Sequence, residues 1–170
     1  MIIPPDVIII RGAPGVGKTE LSKALAKYYP QGSRVEVDAL RKMVISVNWT
    51  DQAEHIKLLG LAARTVADFV EAGFSPVIVV DTFSGDKVKG FLARLEALRP
   101  GISYRIFALH TSADVLAGRL AARPEGHFKD LGIALKLNED VLKFSHEAET
   151  RMETSLEPPF SLAARLAANL

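Results

Sequence analysis

The sequence predicts an α/β fold: a three-layer sandwich in which helices cover both faces of a parallel sheet of about five strands. Three observations carry this expectation. Strand and helix signals alternate along the chain. Val7-Ile8-Ile9-Ile10 and Val77-Ile78-Val79-Val80 are unbroken β-branched runs, the pattern of strands buried on both faces. Between the first run and the first helical stripe stands Gly12-Ala13-Pro14-Gly15-Val16-Gly17-Lys18-Thr19, a G-x-x-x-x-G-K-T sequence of the kind that turns a buried strand into a helix.

The elements follow in order. Lys18 to Tyr29 carries Leu21, Leu25 and Tyr28 on one helical stripe. The breaker Pro30-Gln31-Gly32-Ser33 leads into a second strand over Arg34-Val35-Glu36-Val37-Asp38, followed by a helix from Ala39 to Val47. Asp51 to Glu71 reads as a long helix, with Ile56, Leu59, Ala63, Val66 and Val70 on one side and Gly73 as its stop. Pro76 to Asp81 is the third strand, Lys87 to Leu98 a helix, and Tyr104 to Leu109 the fourth strand. Ser112 or Asp114 caps a helix that runs to Arg123 and stops at Pro124. Glu125 to Lys129 is polar and glycine-containing, so residues 119–135 are expected to form a small lid. Ile133 to Thr150 reads as helix, Met152 to Leu156 as a short fifth strand, and Ser161 to Leu166 as a short amphipathic helix.

Bulk properties bound the function. The 170 residues, 48% hydrophobic and 24% charged, fit one globular domain with its own core. A formal charge of +1 argues against a broad electrostatic grip on nucleic acid. With no cysteine, disulfides and thiolate chemistry are excluded, and a cytoplasmic setting is compatible. The start, Met1 to Asp6, lacks the pattern of a secretory signal. No stretch of about eighteen uncharged apolar residues offers a membrane span, and no obligate protein partner is evident.

The G-x-x-x-x-G-K-T segment makes three demands meet. Its glycines allow positive φ and close approach to a ligand. The turned backbone aims a nest of N–H donors at an anion, at the N-terminus of the next helix. Lys18 supplies a charge for the β- and γ-phosphates, and Thr19 a hydroxyl for Mg²⁺. Gly12, Ala13, Pro14, Gly15, Val16, Gly17, Lys18 and Thr19 are therefore the candidate nucleotide-binding residues.

In open parallel sheets ligands lie beyond the carboxyl ends of the strands. Asp38 is placed there, three residues before Arg41. A carboxylate beside a γ-phosphate can act as general base, and the neighbouring cation can hold a substrate phosphate or steady the carboxylate. The alternative is a helix-capping Asp38 and a solvated Arg41. Asp81, after four apolar residues, has the pattern of an acid that serves Mg²⁺, directly or through water, or the substrate side. Arg119 and Arg123 share a helix face and can stack on a base or reach a transferring phosphoryl group; the alternative is a solvated pair. The four histidines show no metal-ligand spacing, and His127 alone lies in the lid. Trp49 can stack on a flat substrate, or simply pack.

These motifs together resemble the small P-loop kinases, a group of P-loop NTPases. The similar branch is the AAA_33, zeta-toxin-like, polynucleotide 5′-hydroxyl kinase and chloramphenicol-phosphotransferase-like one. The resemblance spans residues 7 to 160 and implies a five-stranded parallel sheet, ATP and Mg²⁺ as cofactors, and γ-phosphoryl transfer to a hydroxyl. It implies Lys18 and Thr19 as phosphate and magnesium residues, Asp38 as general base, Arg41 as a substrate-side arginine, and Arg119 or Arg123 as lid arginine. Gly132-x-Ala134 and Glu153-Thr154-Ser155 also look like the phosphotransferase branch, where Asp usually stands in place of Glu153. The substrate signatures of shikimate, gluconate and adenylate kinases are missing. The acceptor is left open between a small molecule and a nucleic-acid end. A nucleotide-dependent switch working through a partner, or a non-catalytic ATP-binding module, would use the same loop.

Overall fold

A computed structural model describes residues 3–170. The elements are β1 (Val7–Gly12), α1 (Lys18–Ala26), β2 (Ser33–Glu36), α2 (Val37–Lys42), α3 (Gln52–Glu71), β3 (Val77–Asp81), α4 (Lys87–Leu98), β4 (Tyr104–His110), α5 (Ala113–Ala121), α6 (Leu131–Lys143), β5 (Glu149–Glu153) and α7 (Pro159–Ala167). The five strands form one sheet in the order β2-β3-β1-β4-β5, and every pair is parallel. All five carboxyl ends therefore open on one edge, which is where the phosphate-loop sequence follows β1.

Alternation along the strands splits the core in two. Val7 and Ile9, with Val77 and Val79, pack under α3 and α4. Ile8 and Ile10, with Ile78 and Val80, pack under α1 and α7. These strand residues are fully or almost fully buried, each worth about 1.5–3 kcal/mol of apolar transfer. The helix starts are set locally. Asp51 caps α3 by accepting from the N–H groups of Ala53 and Glu54, Ser112 caps α5 and Asp130 caps α6.

Arg11 breaks the apolar run of β1 without reaching solvent. It stands between Ile10 and Gly12, paired in register with Asp81 and Ala108, and is 0% exposed. Its Nη1 donates to Glu149 Oε2 (2.7 Å) and to the Phe144 carbonyl (3.0 Å), and its Nη2 to the Phe83 carbonyl (3.0 Å). Arg11 Nε and Glu149 Oε1 are buried without a partner. The α6 helix crosses the carboxyl edge of the sheet: Asn138 donates to the Thr111 carbonyl, and Asp140 Oδ2 accepts from Gly85 N–H at 2.5 Å.

The structure corrects several boundaries. The second strand ends at Glu36, so Asp38 lies in the first turn of α2 rather than on a strand. The α1 helix stops at Ala26, not Tyr29. The helix expected to Thr150 ends at Lys143, and the fifth strand falls at Glu149–Glu153 rather than 152–156. It is a short edge strand in which Met152 is the one buried apolar residue, so its polar sequence carries only a weak and displaced strand signal.

Because the Arg11–Glu149 pair is desolvated, removing one partner leaves a bare charge. Glu149→Ala is expected to cost about 3–5 kcal/mol, and Arg11→Met with Glu149→Leu to recover most of it. Urea unfolding of the two variants against the parent chain measures both.

Candidate functional site

The loop from Gly12 to Thr19 is a cradle built by steric necessity. Gly12, Gly15 and Gly17 have φ of 154°, 91° and 104°. A Cβ on Gly12 would stand 2.7 Å from the Leu109 carbonyl oxygen, and one on Gly15 2.9 Å from Leu116 Cδ1. Gly17 faces open space, and its left-handed backbone caps α1. Ala13 and Val16 are buried and pin the loop to the core, while Pro14 and Thr19 sit at its mouth.

Lys18 folds back over the cradle and donates to the carbonyls of Gly12 (2.6 Å) and Ala13 (2.9 Å). Burial lowers its pKa to about 8, against the raising fields of Asp81 and Asp38, with Arg123 lowering it further. The loop opens into a cleft of about 420 Å³ lined by Lys18, Thr19, Arg119, Arg123, Thr154 and Leu162 among others.

The two arginines of α5 are differently employed. Arg119 donates to the Val16 carbonyl (3.1 Å), Thr154 Oγ1 (2.9 Å) and the Thr154 carbonyl (2.7 Å). Thr154 Oγ1 donates to the same Val16 carbonyl at 2.6 Å. Arg119 and Thr154 thus clamp the phosphate loop to the end of β5. Arg123 lines the cleft with one bond, to the Phe128 carbonyl of the α5–α6 turn (3.1 Å). Glu153 turns from the cleft to His110 (3.5 Å), and His127 stands exposed in that turn. Burial pushes the Glu153 carboxyl up, but hydrogen bonds from Ser155 outweigh it and hold it below the usual range.

On the other side of Lys18, α2 presents Asp38 and Arg41. Asp38 is exposed on α2; partial desolvation by the protein beside it raises its pKa, with Asp81 adding to the rise and Lys18, Arg41 and His55 opposing it. Glu36, not Asp38, stands at the cap position of α2, so Asp38 is not spent as a cap. Arg41 is buried. Its Nη2 donates to the carbonyls of Trp49 (3.1 Å) and Asn48 (3.4 Å), and its guanidinium lies 4.6 Å from the Trp49 ring centre. Its Nε is buried without a partner, a cation with a donor to spare.

Asp81 ends β3, buried, with both oxygens held: Oδ2 accepts from Phe83 N–H (2.8 Å) and Oδ1 lies 3.2 Å from His55 Nε2. The ring's other nitrogen is 3.2 Å from Lys87 Nζ. Sequence reasoning passed over His55 and Lys87, as it did Arg11. The one available signal for His55 is a histidine on the buried stripe of α3 that carries Leu58, Leu59 and Ala62.

Whether ATP and Mg²⁺ fit can be judged from the donor chemistry. The glycine cradle and Lys18 suit a polyphosphate. For the metal, no cluster of three or more His, Cys, Asp or Glu side chains exists among the described residues. One hydroxyl at Thr19 and one carboxylate at Asp81 suit Mg²⁺, which takes phosphate oxygens and waters as its remaining ligands.

A parallel α/β sheet with a glycine cradle, lysine and threonine at the end of its central strand defines a P-loop nucleotide-binding protein. Residues 7–143 match the AAA_33 family (AAA domain), and the chain belongs to that family. No curated protein matches the sequence significantly. Among solved structures, the tunicamycin resistance protein of Deinococcus radiodurans is similar at 23% identity and TM-score 0.73, over 98% of this chain and 95% of that one. Shikimate kinase from Bacteroides thetaiotaomicron is similar at 20% identity and TM-score 0.69, over 98% of both chains. A gluconokinase from Sinorhizobium meliloti 1021 is similar at 23% identity and TM-score 0.62, over 97% and 95%. These likenesses show that the fold is the one found in small P-loop kinases.

Two outcomes follow from the loop. Gly17→Ala is expected to cost about 1–2 kcal/mol of stability through its left-handed backbone alone, and Gly15→Ala more, because its methyl also meets Leu116; thermal melts rank the two. Since Lys18 titrates near 8 when free and an anion raises that value, nucleotide binding takes up a proton above pH 8 and weakens as pH climbs. Calorimetry in buffers of different ionisation enthalpy measures the uptake, and Lys18→Met should abolish it.

Proposed function

We propose that the chain is an ATP-dependent phosphotransferase that moves the γ-phosphoryl group to a hydroxyl acceptor, a small molecule or a nucleic-acid end, in the cytoplasm. The observation that carries this reading is Asp38. Its carboxylate is uncommitted, its pKa is raised, and it lies within the electrostatic reach of Lys18, Asp81 and Arg41. A module that only bound nucleotide would need no such base beyond its lysine.

In this reading the backbone N–H groups of the loop, from residues other than Pro14, and the Lys18 ammonium hold the β- and γ-phosphates. Asp38 accepts the proton of the acceptor hydroxyl as that oxygen bonds to phosphorus and the bond to the leaving ADP oxygen breaks. Arg123, tied by one bond to residues of the expected lid, is free to move onto the transferring group. Arg119 keeps the loop in place from the base side of the cleft. Arg41, beside Asp38 on α2, steadies an anionic part of the acceptor or the transferred phosphate. Thr19 and Asp81 would hold Mg²⁺, which would supply neutralisation of charge on the phosphates. Closure of residues 119–135 over the cleft excludes water.

Asp38→Asn is expected to lower phosphoryl transfer by about 10²–10⁴-fold and to leave nucleotide affinity within about twofold. The acid limb of the parent's pH–rate profile should lie above the 3.8 of an ordinary aspartate, because the base works only when ionised and its pKa is raised. A screen of hydroxyl acceptors with labelled ATP, with Lys18→Ala as blank, tests the assignment. Transfer by Asp38→Asn at the parental rate would remove the base, and ATP hydrolysis with no acceptor phosphorylated would favour a nucleotide-dependent switch.

A further inference from the structure

We infer that His55 and Lys87 are positioning residues that hold the Asp81 carboxylate in a single orientation for the metal–phosphate side of the site. The inference rests on the proposed phosphotransferase reading for what Asp81 serves; the geometry stands on its own. Asp81 is buried at the carboxyl end of β3, and its two oxygens are held by different elements. Oδ2 accepts the backbone N–H of Phe83, two residues on, and Oδ1 lies 3.2 Å from His55 Nε2, contributed by α3.

The ring's partners assign its tautomer. Lys87, in the first turn of α4, places Nζ 3.2 Å from Nδ1 and cannot accept, so Nδ1 is the acceptor and the proton stands on Nε2, aimed at Asp81. Lys87 is itself fixed by Gln52 Oε1 (2.5 Å) and Ser84 Oγ (3.1 Å). The array Lys87–His55–Asp81 therefore joins α4, α3 and β3, and a neighbouring chain element cannot shift without turning the carboxylate. Each Asp81 oxygen gives one lone pair to these bonds and keeps another. A carboxylate fixed in this way presents those remaining lone pairs in one direction, which is how an outer partner sharpens a hard-metal site.

The array also reaches the acceptor side. His55 is in the first turn of α3, directly after the Asp51 cap and the loop whose Trp49 and Asn48 carbonyls hold Arg41. One buried imidazole thus lies between the end of the loop that holds Arg41 and the strand carrying Asp81. Nothing in the loop or in the Asp38–Arg41 pair requires a histidine at this position, and a core role alone would favour leucine, as at the neighbouring Leu58 and Leu59.

The test uses the full chain with a non-hydrolysable ATP analogue and Mn²⁺, whose binding is read by electron paramagnetic resonance without turnover. His55→Leu should weaken Mn²⁺ binding by about tenfold or more, the usual loss for an outer-shell partner. His55→Gln, which can still donate to Oδ1, should stay within about threefold of the parent. Metal-free affinity for the analogue should not change in either. Lys87→Met, at a half-buried position, should weaken Mn²⁺ binding in the same direction without disturbing the core, and nitrogen NMR should show the His55 Nε2–H tautomer in the parent giving way to a mixture. Equal effects of Leu and Gln with unchanged melting temperature, unchanged Mn²⁺ affinity in His55→Leu, or an Nδ1–H tautomer in the parent overturns the inference. The phosphotransferase reading fails separately, if no acceptor is phosphorylated while the Mn²⁺ shifts are as described.

Discussion

One buried guanidinium holds the carboxyl edge of this molecule together. Arg11 is the last side chain of β1 before the phosphate loop, and it donates to three segments far apart in sequence: the turn after β3, the turn after α6 and the first residue of β5. A charge without water is tolerated only where its hydrogen bonds are made, so those segments must be in place for β1 to end as it does. The edge strand β5, with one buried residue, has little apolar surface to hold it, and the Arg11–Glu149 pair supplies the missing anchor.

The same anchor bears on Phe83. This residue takes φ of 45°, unusual for a bulky side chain, and is fully buried with its ring edge-on to Phe91 at 5.2 Å. Such a conformation costs on the order of 1–3 kcal/mol and persists only when its surroundings over-determine it. Here they do: Asp81 takes its N–H, Arg11 takes its carbonyl, and the core takes its ring. Strain, buried acid and buried base thus meet in the few residues between β3 and α4, while the opposite wall of the site, Arg119 and Thr154, is held by ordinary hydrogen bonds. The Arg119–Thr154 wall holds the phosphate loop through the Val16 carbonyl, and Arg11 fixes the end of the strand that leads into it.

Much of this was legible in the residues and some was not, for physical reasons. The runs of β1 and β3 read as strands because both their faces are buried, which removes polar alternation. The phosphate loop read clearly because close backbone approach, anion binding and a helix start each demand a particular residue. The pattern misled at Val37-Asp38, where an apolar–acidic alternation continues a strand in sequence but winds a helix in space. It was weak at β5, placed at 152–156 rather than 149–153, because most residues of that edge strand are polar and only Met152 offers an apolar one. Among the candidate site residues, Asp38, Arg41 and Asp81 were legible as polar groups beyond apolar runs. His55 and Arg11 were not, because a polar side chain on a buried face is identified only by partners that lie tens of residues away.

The wall of the nucleotide cleft also has a position in time. Leu162 and Pro159, from α7, line it, and α7 packs on the helix that the phosphate loop begins. A nascent chain that has delivered β1, α1 and even β4 possesses the cradle. Until residues 154–167 have left the ribosome, the cleft therefore lacks one wall and the Arg119 clamp lacks its Thr154 end.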